Sequence, residues 1–407
     1  MKRVEHVELT EEQKELVQRL VKWYRSGTRQ TFSYTGAAGT GKTTVVRYFI
    51  EEMGIERYTT CAFVGKAVTV LAKQGLPATT IHSMIYQVIF VDAIDEKTGL
   101  PIMVKGKPKK VIKFQLRPHI EGDPQLIIVD EATMVNDQLC ADILSFGIPT
   151  IFLGDMNQLP PVFGISSVML APDFALHKIM RQAENDPIVY LSQAILKNEP
   201  IYYGTYGKTK VVHTLQLGRN YTDFDVILSP VNRMRDAVND HIRHHIRGYR
   251  GIDPVIGDKL ICRQNDWTRS IEGNIYLTTG MSGTVTDINR SLGSDNYMSI
   301  DFQPDISTES FFNLKLDLPY IRSSYDERKE YGISQYEKFE YGYCITVHQS
   351  QGSGWDSVCF IDHYFHDMDY LRKVRYTAIT RAKMALVMAE NVEFIDGYPE
   401  DDDFTAA

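Results

Sequence analysis

The stretch TGAAGTGKTT, residues 35–44, constrains the fold of this chain more than any other. It matches Gly-x-x-x-x-Gly-Lys-Ser/Thr at Gly36, Gly41, Lys42 and Thr43. The preceding TFSYT reads as a β-strand and the following TTVVRYFIEEMG as a helix, the context this pattern requires. A glycine turn between strand and helix lets the backbone N–H groups of Gly36, Ala37, Gly39, Thr40 and Gly41 close around phosphate oxygens. The positive end of the helix dipole stands behind them. In that setting Lys42 is expected to reach the β- and γ-phosphates of ATP, and Thr43 to ligate Mg²⁺ through its hydroxyl, with Thr44 in the same helical turn.

The 407 residues leave room for about two to four domains and a sizeable core. A hydrophobic share of 43% with 24% charged residues marks a soluble globular chain and argues against a disordered one. No apolar run approaches membrane-spanning length, and the opening MKRVEHVELT has no signal-peptide core. Neither a membrane partner nor secretion is expected. Cys61, Cys140, Cys262, Cys344 and Cys359 form no Cys-x-x-Cys pair and read as reduced, buried thiols of a cytoplasmic protein. The net charge of −8 speaks weakly against a nucleic-acid partner, because such binding depends on local patches. Lys105, Lys107, Lys109, Lys110, Lys113 and Arg117 make one such patch, whereas Glu400 to Asp403 form an acidic tail that reads as solvated.

Helical spacing of Leu16, Val17, Leu20, Val21 and Tyr24 predicts a helix after Thr10, with Thr10 and Gln13 as a capping box and Gly27 as the stop. TTCAFVG, QLIIV and PTIFLG read as strands, alternating with helices at KAVTVLAKQG and NDQLCADILSFG. The alternation resumes with strand DVILSP, helix NRMRDAVNDHIRHHI, strands YGYCITV and DSVCFI, helix MDYLRKVRYTAITRAK and strand ALVMA. The fold class is therefore α/β, with two parallel sheets covered by helices. Residues 86–118 read as a β-hairpin insertion. Residues 251–338 read as a small β-barrel with a turn at Gly280 and Gly283. His241 and His245 share a helix face, but no third ligand is evident, and a solvated basic face is the better reading.

LIIVDEATM is the second half of a nucleotide site. Four apolar residues make a buried strand, and Asp130 and Glu131 stand at its carboxyl end, where α/β sheets bind ligands. Asp130 is expected to hold Mg²⁺, and Glu131 to orient or deprotonate the attacking water.

GDMNQLPPV (154–162), placed after that strand, resembles motif III of superfamily 1 helicases. KIMRQAENDPIVYLS, ITVHQSQGSGWDSV and RYTAITRAK resemble the later Arg-Gln motif, motif V and motif VI, while GKAV (65–68) and TTIHS (79–83) resemble motifs Ia and Ib. The order holds from Gln13 to Arg381. The form of motif V, the short chain and the β-rich GDKLICRQND and TTGMSGTV patterns are similar to the RecD/Dda branch, superfamily 1B, in which phage helicases of the Dda type fall.

This resemblance implies two RecA-like P-loop domains: the first over 1–85 and 119–200, the second over 201–250 and 339–395. It also implies a strand-splitting hairpin over 86–118 with an apolar tip such as Phe90, an SH3-like insertion over 251–338, and the acidic tail at 396–407. Gln13 would read adenine, Gln158 would sense the γ-phosphate, and Arg181 and Arg381 would stabilise the charge that builds on the transferring phosphoryl group. Lys66, Thr80, His82 and Ser83 would touch the nucleic-acid strand in one domain, and Ser229, Asn232, Thr346, His348 and Ser350 in the other. Pro160 and Pro161 would relay the nucleotide state. Many relatives carry lysine at Gln349, so one phosphate contact is weakened or reassigned here. The implied activity is ATP-dependent 5′-to-3′ movement on single-stranded DNA with duplex unwinding, by a monomer. Single-strand/duplex junctions, and single-strand-binding or replication proteins, are the expected partners. The rivals are an RNA helicase, a translocase that does not unwind, and an ATP-gated clamp without turnover.

Overall fold

The computed structural model describes residues 8–92, 94, 99–101, 103–104, 107–108, 110–160, 166–178, 186–272, 275–332 and 334–395. The chain forms two compact units, Met1–Phe63, Leu71–Met156 and Pro160–Ile179 against Val64–Val70, Asn157–Leu159 and Met180–Ala407.

In the first unit the apolar strands assemble into a six-stranded sheet. Its order is Phe174–Leu176, Thr31–Gly36, Thr150–Gly154, Leu126–Asp130, Tyr58–Ala62, Ala78–Thr80. Every pairing is parallel, so the carboxyl ends of the three central strands fall on one edge. Helices Glu11–Ser26 and Lys42–Met53 cover one face through Leu16, Leu20, Val45 and Phe49, all fully buried. The short helix Ile81–Ile85 and helix Asp137–Leu144 supply the other core, around Ile127, Val129 and Phe152. Burying each such side chain contributes about 1.5–3 kcal/mol. Strands Tyr86–Asp92 and Lys110–Leu116 pair antiparallel, Tyr86 opposite Leu116 and Asp92 opposite Lys110. The side chain of Phe90, Lys105 and Lys109, and the acidic residues of the tail lie outside the described residues.

The second unit holds another six-stranded sheet: Gly204–Tyr206, Thr209–Leu217, Ala382–Phe394, Trp355–Ile361, Val226–Ser229, Cys344–Thr346. All its pairings are parallel except the first. A separate five-stranded antiparallel sheet orders Phe311–Asp317, Tyr297–Pro304, Ser282–Ser294, Lys259–Cys262 and Phe339–Tyr341. Four details correct the sequence reading. Strand Phe339–Tyr341 pairs with Lys259–Cys262, so the inserted sheet extends past residue 338. Gly283 lies inside a strand rather than in a turn: a Cβ there would stand 2.3 Å from the Gln303 carbonyl. The helix starting at Met368 stops at Ile379, because Ala382 begins a central strand, and the helix after Ser229 is α only to His241, widening into a π turn over Ile242–Ile246.

Two buried ion clusters join that helix and turn to the inserted sheet. The Glu340 carboxylate accepts from Arg235 Nη1 at 2.9 Å and from the Tyr320 hydroxyl at 3.1 Å, with Arg263 Nε at 3.3 Å and Arg328 Nη1 at 3.8 Å. Arg243 pairs with Asp258 at 3.1 Å and lies 3.9 Å over the Tyr341 ring, while the Tyr343 hydroxyl donates to Asp258 at 2.8 Å. Burial alone would raise the Glu340 carboxyl, but Arg263, Arg235 and Arg328 outweigh it and hold the group below its ordinary value. A carboxyl depressed on folding adds stability above its unfolded value and loses it as pH falls through the folded one. Glu340→Gln leaves three arginines around a neutral group. It should cost about 3 kcal/mol in denaturant unfolding at pH 7, and the gap to the parent should narrow as pH falls below the ordinary glutamate value and through the depressed folded one.

Candidate functional site

The nucleotide loop follows from its local sequence. Strand Thr31–Gly36 ends at the loop, and helix Lys42–Met53 starts from Gly41, which is left-handed at φ 79° and offers no side-chain cap. A Cβ on Gly41 would stand 2.5 Å from Gln13 Nε2. The first N–H groups of this helix therefore remain for an anionic ligand. Gln13 is buried and does two jobs: its Oε1 accepts from Thr10 N at 3.0 Å in the capping box, and its Nε2 donates to the Thr40 carbonyl at 3.0 Å. It thus pins the loop from the preceding helix. Lys42 Nζ donates to the carbonyls of Gly36 (2.7 Å) and Ala37 (3.3 Å), and the Tyr34 hydroxyl donates to the Lys42 carbonyl at 2.8 Å. Thr43 and Thr44 occupy the first helical turn.

On the same edge, Asp130 ends strand Leu126–Asp130 and accepts from Glu131 N at 2.9 Å. Glu131 is left-handed at φ 50°, a costly conformation for a residue with a side chain. Its Oε2 is buried with no hydrogen-bond partner within the protein. Burial, then the Glu131 carboxylate, push the Asp130 carboxyl up to about 6, against the pull of Lys42. A loop lysine, a first-turn threonine and a carboxylate kept from its ordinary solvation form a donor set that fits a hydrated divalent cation beside a polyphosphate.

In the second unit, Gln158 is buried and its Oε1 has no partner within the protein. Arg381 is buried, and its guanidinium donates to the carbonyls of Thr377 (3.1 Å) and Ser353 (3.0 Å) and to the Thr380 hydroxyl (3.3 Å). Arg181 and Pro161 lie outside the described residues, while Pro160 is exposed.

The expected strand contacts divide by what their side chains already hold. Thr80 caps helix Ile81–Ile85 by accepting from Ser83 N at 3.2 Å, and it donates to the Ser83 hydroxyl at 2.9 Å. Burial lowers the His82 pKa, and the ring packs among Phe63, Tyr86 and Phe114. Lys66 lies on helix Gly65–Lys73, its side chain outside the described residues. Ser229 and Ser350 are fully buried and bond to the carbonyls of Val231 and Val347. Asn232 opens helix Asn232–His241, and the His348 ring stacks on Tyr370 with centroids 6.4 Å apart. Thr346 and Gln349 exchange two bonds: Thr346 N donates to Gln349 Oε1 at 2.8 Å, and Gln349 N donates to the Thr346 hydroxyl at 3.3 Å. A lysine at 349 has no acceptor to close this turn, which accounts for the glutamine.

Sequence reasoning gave Thr377 and Gln351 no role, although both stand inside quoted motifs. Their partner is the main chain of a residue far away in sequence, which no local pattern reveals. The raised Asp130 carboxyl has a testable consequence. A carboxyl raised on folding binds its proton more tightly when folded, so its charge destabilises as pH rises from about 4 through about 6. Asp130→Asn should therefore raise the Tm of the nucleotide- and metal-free protein at pH 7, with the difference vanishing near pH 4.

The model of the AAA domain family matches residues 8–216, and that of the UvrD-like helicase C-terminal domain matches residues 341–389. The ATP-dependent RecD2 DNA helicase of Deinococcus radiodurans is 25% identical over 384 residues, covering 86% of this chain and 45% of its own length. The ATP-dependent DNA helicase RRM3 of Saccharomyces cerevisiae is 26% identical over 249 residues, covering 53% of this chain and 31% of its own. This chain thus spans less than half the length of either relative. Among solved structures, Bacteroides Pif1 bound to ssDNA has a TM-score of 0.54 at 17% identity, covering 94% of this chain and 92% of that one. Pif1 helicase from Candida albicans has a TM-score of 0.51 at 16% identity, covering 94% of each. Because the AAA domain model takes in half of the residues, the chain belongs to that family.

Proposed function

We propose that the chain is an ATP-dependent DNA helicase that moves 5′ to 3′ on single-stranded DNA and opens duplex at single-strand/duplex junctions, acting as a monomer. The observation that carries this reading is the uncapped helix start at Gly41 together with the adjoining Lys42, whose ammonium donates to loop carbonyls that phosphate oxygens can replace. The helicase names of the Deinococcus and yeast relatives and the DNA-bound Bacteroides neighbour support the nucleic-acid half.

In this reading the loop amides and Lys42 hold the ATP phosphates, while Thr43 and Asp130 hold Mg²⁺, which supplies charge neutralisation to the phosphoryl group. Glu131, strained and with one oxygen unbonded, takes the proton of the attacking water. Gln158 presents its free oxygen to the nucleotide, and Arg181 and Arg381 stabilise the phosphoryl transition state. For Arg381 this requires leaving at least part of its carbonyl cradle, which links hydrolysis to rearrangement. The strand track draws on Lys66, Thr80, His82, Ser83 and the exposed Pro160, and on Ser229, Asn232, Thr346, His348 and Ser350; the hydroxyls of Thr80, Ser229, Thr346 and Ser350 also bond to backbone, and the Thr346 hydroxyl, which only accepts there, keeps its O–H to donate.

Steady-state ATP hydrolysis with and without a poly-dT oligonucleotide tests the proposal. Stimulation by about tenfold or more is expected in the parent, and Lys42→Ala should lower the stimulated kcat by at least ~100-fold, the order of one lost transition-state charge contact. ATP turnover that ignores DNA, or that survives Lys42→Ala, contradicts it. Stimulation by RNA alone turns the reading to an RNA motor.

A further inference from the structure

We infer that Thr377 and Gln351 are positioning residues that hold the peptide carrying Gln158 in register with Arg381; this rests on the function proposed above. Residues Asn157–Leu159 belong to the second unit, unlike the chain on either side. They lie in no strand or helix, so the backbone groups of buried Leu159 need other partners. Thr377 Oγ1 accepts from Leu159 N at 3.0 Å, and Gln351 Nε2 donates to the Leu159 carbonyl at 2.8 Å. Both side chains are buried. Both backbone groups of one residue, in two consecutive peptide units, are thus gripped.

The same two segments hold Arg381. The Thr377 carbonyl accepts from Arg381 Nε at 3.1 Å, and the carbonyl of Ser353, two residues after Gln351, accepts from Arg381 Nη1 at 3.0 Å. Gln158 immediately precedes the gripped residue, and its Oε1 is unbonded within the protein. A displacement of Gln158 by nucleotide therefore pulls on Leu159. Leu159 pulls on Thr377 and Gln351, and those two segments set the frame of the arginine.

The test is steady-state ATP hydrolysis by the full chain at saturating poly-dT, with thermal melting as a control. Thr377→Val keeps the shape and removes the acceptor. It should lower kcat about tenfold while the KM for ATP stays within about twofold. Thr377→Ser should restore kcat to within about twofold of the parent, and Gln351→Met should reproduce the valine effect. An unchanged kcat in both Thr377→Val and Gln351→Met overturns the inference, as does a loss that serine does not restore. If Thr377→Val does not fold, Gln351→Met and Thr377→Ser decide by the same criteria. A parent with strand-stimulated hydrolysis and indifferent variants sinks this inference alone, whereas a parent without strand-stimulated hydrolysis overturns both this inference and the function it rests on.

Discussion

The N-terminus of helix Lys42–Met53 is the constraint to which the first unit is fitted. Its first amides have no side-chain cap, its N-cap is a left-handed glycine, and the side chain that approaches the loop, Gln13, donates to a loop carbonyl and competes for none of those amides. The parallel sheet exists around that point: three adjacent strands end on one edge and deliver the loop, Asp130 and Gly154 together. The cost appears locally, as a left-handed Glu131 and a carboxyl held above its ordinary value. Such conformational and electrostatic strain survives only where packing overdetermines it, here by a strand whose residues Leu126–Val129 are all buried.

The second unit depends on polar rather than apolar joints. Helix Asn232–His241 and its π turn reach the inserted antiparallel sheet through Arg235 and Arg243, each buried against a carboxylate. Buried ion clusters are costly to desolvate and costly to break, so they fix geometry more than they add stability. An insertion held this way keeps a defined orientation to the helix that carries it.

Much of this was legible in the chain because the signals are local. The glycine loop, the Asp-Glu strand, the Thr10/Gln13 capping box and the hairpin over 86–116 each depend on residues a few positions apart. The double duty of Gln13 was not, because its second bond spans 27 residues. The joints between Arg235 and Glu340, and between Leu159 and Thr377, span 105 and 218 residues. Strand Phe174–Leu176 has three residues, too few for a periodic signal, and the helix expected to run through Arg381 gave way at Thr380 to a central strand. For the strand track, the hydroxyl residues Thr80 and Thr346 also cap a helix and close a turn, a use that sequence pattern does not separate from binding.

The most direct measurement is strand separation on two duplexes that differ only in carrying a 5′ or a 3′ single-stranded DNA tail, each with ATP and Mg²⁺. The account predicts unwinding from the 5′ tail and none from the 3′ tail. Unwinding from the 3′ tail alone, or from neither, would contradict it.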